Sequence, residues 1–105
     1  MIWVLVNCNS INEARKIGNK VLEKRLAACF DVLSRNFTSY FWPPKSNKKE
    51  KGKGALLILE TTLNKYKKIK SEVEKIHSDK LPFIGHVEIK GTDIKYQKWL
   101  KEEVR

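Results

Sequence analysis

The order in which apolar periodicity changes along this chain constrains its fold more than any other feature. Ile2-Trp3-Val4-Leu5-Val6 is a short apolar run of branched and aromatic residues. It reads as a buried strand, stopped by the polar stretch from Asn7 to Ser10. Ser10-Ile11-Asn12-Glu13 is then a capping box, in which the serine hydroxyl takes the Glu13 amide and the Glu13 carboxylate reaches back. Ile11, Ala14, Ile17, Val21 and Leu22 share one helical face, so the spacing predicts a helix from 11 to about 26. Residues 28 to 42 read as a long strand, with a bend or bulge near Ser34 to Asn36 where the alternation blurs. Pro43-Pro44 ends it, because proline cannot donate to a strand ladder. Lys45 to Gly54 reads as a solvated hairpin loop, and Ala55 to Thr61 as a returning buried strand. Thr62 is the expected cap of a second helix with the stripe Leu63, Tyr66, Ile69, Val73 and Ile76. Leu81-Pro82 breaks that helix. Phe83 to Ile89 reads as a fourth strand, with Phe83, Gly85, Val87 and Ile89 on one face and His86 on the other. Thr92 or Asp93 then caps a last helix bearing Ile94, Trp99, Leu100 and Val104, with Trp99 expected in the core.

The resulting order is β-α-β-β-α-β with a terminal helix. This predicts an α+β, ferredoxin-like sandwich with a long hairpin between its second and third strands. The chain of 105 residues suffices for one such domain, residues 1–105. Two helices cover one face of the antiparallel sheet, and the other face needs a cover. The hairpin segment Phe37 to Trp42 is richer in aromatics than a free hairpin tolerates, so self-association is the expected way to bury it.

Composition narrows the function classes. Twenty-two Lys and Arg oppose 12 Asp and Glu, a formal net charge of +10. Such an excess serves solubility and attracts polyanions. No apolar run is long enough to span a membrane, and Ile2 to Val6 is too short for a secretory core. Cys8 and Cys29 make no disulfide framework, so a cytoplasmic protein with reduced thiols is expected. There is no G-x-S-x-G elbow, P-loop or G-x-G-x-x-G, so catalysis finds no support and no organic cofactor is indicated.

Four segments resemble the CutA divalent-cation-tolerance family. Lys24-Arg25-Leu26-Ala27-Ala28-Cys29 matches its R-L-A-A-C segment, and Thr38-Ser39-Tyr40-Phe41-Trp42 its S/T-x-Y-x-W hairpin. His77, with Pro82 five residues on, stands where the family has H-P-Y-x-x-P-E. Gly91 to Leu100 is similar to the closing G-x-x-x-Y-x-x-W-L stretch, with Tyr96, Trp99 and Leu100 in register. The resemblance implies a ferredoxin-like subunit in a homotrimer, binding of divalent metal ions, copper above all, and a role in metal tolerance. It also implies likeness to the trimer of PII signalling proteins, and so a small-ligand, scaffold or signalling role as the alternative. This chain departs from the family pattern at His77-Ser78-Asp79, at Phe83 in place of a glutamate, at Glu60 in place of a lysine and at Pro43-Pro44 in place of a glycine.

The metal candidates follow from that resemblance. Cys29 offers a soft thiolate and His77 an imidazole, a pair that suits copper or zinc. They lie 48 positions apart, and only the resemblance brings them to one cleft between subunits. Glu60 and Asp79 are further carboxylates of that cleft, although Glu60 at a strand end and Asp79 in a turn also read as plain surface residues. Tyr40 and Trp42 line either the site or the subunit interface. Cys8 and His86 show no ligand pattern. A nucleic-acid role is the remaining rival. Lys51-Gly52-Lys53-Gly54 is similar to the start of an RNP1 motif, but the strand Ala55-Leu56-Leu57-Ile58-Leu59 lacks the aromatics that stack bases. Only salt-dependent phosphate binding by the Lys-rich loop remains of it.

Overall fold

A computed structural model describes residues 1–105. The elements run β1 (Ile2–Cys8), α1 (Ile11–Glu23), β2 (Cys29–Phe41), β3 (Lys49–Thr61), α2 (Tyr66–Ile76), β4 (Ile84–Glu88) and α3 (Ile94–Glu103). One antiparallel sheet takes the order β2-β3-β1-β4. The α+β, β-α-β-β-α-β reading is therefore the observed fold, with its extra C-terminal helix and long hairpin.

The core lies between the sheet and helices α1 and α2. Ile2, Val4, Val6 and Cys8 of β1 and Ala55, Leu57 and Leu59 of β3 point to the helices, and Ala14, Ile17, Val21, Ile69 and Val73 meet them. Strand alternation sends Trp3, Leu5, Leu56, Ile58 and Glu60 to the opposite face. Gly54 has a specific reason to be glycine. A Cβ there would stand 2.3 Å from the Cys8 carbonyl oxygen, so β3 passes the end of β1 only without a side chain.

Several local expectations are corrected. Helix α1 stops at Glu23, because Arg25 turns the chain with φ 59. Much of the expected lysine loop is strand: β3 begins at Lys49, and only residues 42 to 48 connect the hairpin. Thr62 bonds the Asn64 side chain rather than capping a helix amide, and a single 3₁₀ turn (Leu63–Lys65) precedes α2. Leu63, at 62% exposure, lies outside the stripe. In β4 the strand is shorter than expected, and Ile84 is the residue that packs on the core. Trp99 is not a core residue. It is 40% exposed against the Tyr96 ring, and Leu100 alone of α3 is buried. The predicted irregularity in β2 is present as a register shift between Arg35 and Thr38.

Candidate functional site

The C-terminal end of β1 is where three distant segments converge. Ser10 caps α1 by accepting from the Glu13 amide at 3.0 Å. The Glu13 carboxylate turns back past the cap. Its Oε1 accepts from the Asn9 amide at 2.8 Å and its Oε2 from the Ser78 amide at 2.9 Å. His77, just beyond α2, fits its ring against this turn. Its Nε2 lies 2.7 Å from the Asn7 carbonyl oxygen, and its Nδ1 accepts from the Asp79 amide at 3.0 Å. Those partners assign the ring proton to Nε2.

Cys8 sits beneath. Its Sγ donates to the Val6 carbonyl at 3.8 Å. The ligand atoms of Cys8, Glu13 and His77 all lie within 4.8 Å of one another. Burial first, and then the negative charges of Glu13 and Asp79, push the Cys8 thiol up to about 12. Burial opposes ionisation of Glu13, but the hydrogen bonds from Asn9 and Ser78 outweigh it and hold its carboxyl below the ordinary range. The donor set is one sulfur, one imidazole nitrogen and one carboxylate oxygen. This mixture suits copper and zinc rather than calcium or magnesium. A tetrahedral centre with bonds of about 2.0–2.3 Å sets its ligand atoms roughly 3.3–3.8 Å apart, so the three atoms need close by only about an ångström. The residues fit such an ion, provided the thiol gives up its proton.

The opposite end of the sheet holds a second polar cluster. Glu60 is only 9% exposed, although its place at a strand end suggested a surface residue. Its Oε2 accepts from Trp3 Nε1 at 3.0 Å; its Oε1 accepts from Cys29 Sγ at 2.9 Å and from the Tyr96 hydroxyl. Burial and this carboxylate push the Cys29 thiol up to about 12, and the Tyr96 hydroxyl is raised chiefly by its bond to Glu60. Glu60 itself is held low, because its three donors outweigh the effect of burial.

Within one chain, Cys29 and His77 are not brought together. Cys29 pairs with Glu60 and Glu60 with Trp3, whereas His77 sits on Asn7 beside Cys8. Five strand residues, about 17 Å, separate Trp3 from Cys8. Tyr40, Trp42 and Asp79 do come together, around a groove of about 490 Å³ that also reaches Cys8. Asp79 additionally accepts from the Asn9 amide group at 2.9 Å. His86 packs its ring on Tyr66. Cys8 and Glu13 are the residues that sequence reasoning passed over. Cys8 carries no spacing motif, and Glu13 was fully explained by the helix cap.

Comparison with known proteins supplies the remaining evidence. The family model described as CutA1 divalent ion tolerance protein matches residues 2–103. The chain is 32% identical over 104 residues to the divalent-cation tolerance protein CutA of Thermotoga maritima, covering 99% of each. It is 32% identical over 101 residues to a CutA homolog of Danio rerio, covering 96% of this chain and 65% of that protein. Among solved structures, the periplasmic divalent cation tolerance protein CutA of Archaeoglobus fulgidus superposes with a TM-score of 0.92 at 26% identity, each chain covered fully. CutA1 of Pyrococcus horikoshii gives 0.91 at 26% identity, covering 100% of this chain and 99% of that one.

Proposed function

This chain belongs to the CutA1 divalent ion tolerance family, and from that premise we propose that it is a binding protein for a divalent cation of the copper–zinc class, held by Cys8, Glu13 and His77. One observation carries the reading: a thiol, a carboxylate and an imidazole from three separate segments converge within 4.8 Å. Copper is the favoured ion, since a nitrogen-and-sulfur site prefers it among the first-row divalent metals. His77 and Asp79 keep the place expected of them, the one as a ligand and the other beside it. In this reading Cys29 and Glu60 hold α3 on the sheet rather than the metal, because their polar atoms already bond to each other and to Tyr96 and Trp3. The role is binding within divalent-cation tolerance and not catalysis.

The working form is a homotrimer. Leu33, Val87 and Phe83 are about half exposed on the sheet face away from α1 and α2. On the projecting hairpin Phe37 and Phe41 are 68% and 70% exposed. These surfaces are continuous with Tyr40 and Trp42 and favour association through the sheet face and hairpin. We assign it to the cytoplasm, because two thiols at opposite ends of a sheet cannot pair and persist as thiols in a reducing compartment. No helix is long and apolar enough to cross a membrane.

Titration with Co(II), followed by its thiolate charge-transfer absorption and by displacement with Zn(II) and Cu(II), tests the site. Cys8→Ala should abolish the absorption, and His77→Gln should weaken Co(II) at least tenfold. Cys29→Ala should leave both unchanged. An unaltered signal in Cys8→Ala, or its loss in Cys29→Ala, would sink the assignment.

A further inference from the structure

The groove beside the cation cluster has chemistry of its own. It lies between the outer half of the β2–β3 hairpin and the segment after His77, and its volume of about 490 Å³ is that of a small-molecule site. Arg35, Lys53 and Lys80 bring three positive charges to its walls, against the single carboxylate of Asp79. That carboxylate is already engaged by the Asn9 amide group. The Arg35 guanidinium is not loose. It donates to the Thr38 hydroxyl at 3.0 Å across the register shift of β2, which holds the fork beside the groove. Tyr40 and Trp42 add two half-exposed aromatic rings to the same wall. Clustered cations recognise phosphate or carboxylate, guanidinium does so bidentately, and aromatic faces take a flat ring.

From this juxtaposition we propose that the groove binds a small organic anion: a flat ring bearing a phosphate or a carboxylate, with the anion toward Arg35, Lys53 and Lys80 and the ring on Tyr40 and Trp42. One chain supplies every named group, so the site needs neither a second copy nor a bound cation.

The test uses the full chain with a chelator present, so that it stands apart from the Co(II) titration. Phenyl phosphate and benzoate are added separately while the Trp42 indole N–H is followed by NMR, with inorganic phosphate and benzyl alcohol as single-feature probes. Phenyl phosphate or benzoate should shift the Trp42 signal saturably and bind at least tenfold more tightly than either single-feature probe. The tighter of the two identifies the anion. The double variant Lys53→Gln, Lys80→Gln should weaken that binding at least tenfold. Lys67→Gln, Lys68→Gln, which removes the same charge from the exposed face of α2, should leave it within twofold. No shift with either aromatic anion, benzyl alcohol binding as well as both, or equal loss in the two double variants would overturn the proposal. Each of those results leaves the Cys8 reading intact, and loss of Co(II) absorption alone leaves this one intact.

Discussion

Replacing Glu60 by glutamine probes the one buried carboxylate of the sheet. Three donors converge on it, from Trp3, Cys29 and Tyr96. Hydrogen bonds to a charged group contribute about 1.5–3 kcal/mol each, and neutral ones about 1 kcal/mol. A glutamine oxygen keeps two of the three as neutral bonds, and its NH₂ group meets the remaining donor unless that group rotates. Relief of the charge-burial cost offsets part of the loss. A net destabilisation of about 2 kcal/mol follows, which for a chain of this size is a fall in Tm of about 10 °C. The sign with pH is fixed by the depressed carboxyl. A group held lower in the folded state contributes stability above its unfolded pKa, and loses that contribution as pH falls through its folded pKa. The gap between the wild-type chain and Glu60→Gln should therefore be full at pH 7 and shrink as the pH is lowered below about 4.3, the unperturbed glutamate value. Thermal melts at one fixed protein concentration, run from pH 7 to pH 3, measure it. A variant as stable as wild type at neutral pH, or a gap that is independent of pH, would refute the reasoning.

Two further outcomes are expected. Gly54→Ala should cost about 2–3 kcal/mol by urea unfolding and lower Co(II) affinity too, because its Cβ would press on the backbone oxygen of Cys8 at 2.3 Å. Light scattering in high salt should give about three times the chain mass of 12.3 kDa, and Trp42→Ala should dissociate on dilution where the wild-type chain does not; a monomeric wild type, or a variant equally resistant to dilution, would remove the interface assigned to the hairpin.

The elements were legible in the sequence because each announces itself locally. The Ser10 cap, the stripe through Ala14, Ile17 and Val21 and the stop at Pro43-Pro44 act within a few residues of where they are written. The β2 irregularity also showed itself, as a break in alternation. What escaped was set by contacts between distant segments. Glu60 reads as a strand end, and only the return of α3, bringing Tyr96, makes it buried. Trp99 reads as core because it is large and apolar, but α3 seats Leu100 and leaves the indole beside Tyr96. Thr62 has the chemistry of a cap, yet it spends its hydroxyl on Asn64. The cation cluster was the least visible. Cys8, Glu13 and His77 each have an adequate local explanation, and 64 residues of intervening chain separate the last two before the fold closes that gap.

The strand order carries a consequence for how the molecule comes into being. Strand β1 is made first, yet its neighbours are β3, which pairs Ile2 with Thr61, and β4, which pairs Ile2 with Glu88. The β2–β3 ribbon, by contrast, closes over a seven-residue connection. Loop-closure entropy favours the ribbon as the early structure and makes the central strand wait for partners far along the chain. His77 is delivered to Cys8 only after β1 has been zipped into the middle of the sheet. On the ribosome and in refolding alike, the thiol, carboxylate and imidazole are thus assembled last, and the capacity to capture a metal becomes a mark of a finished chain that no half-folded intermediate carries.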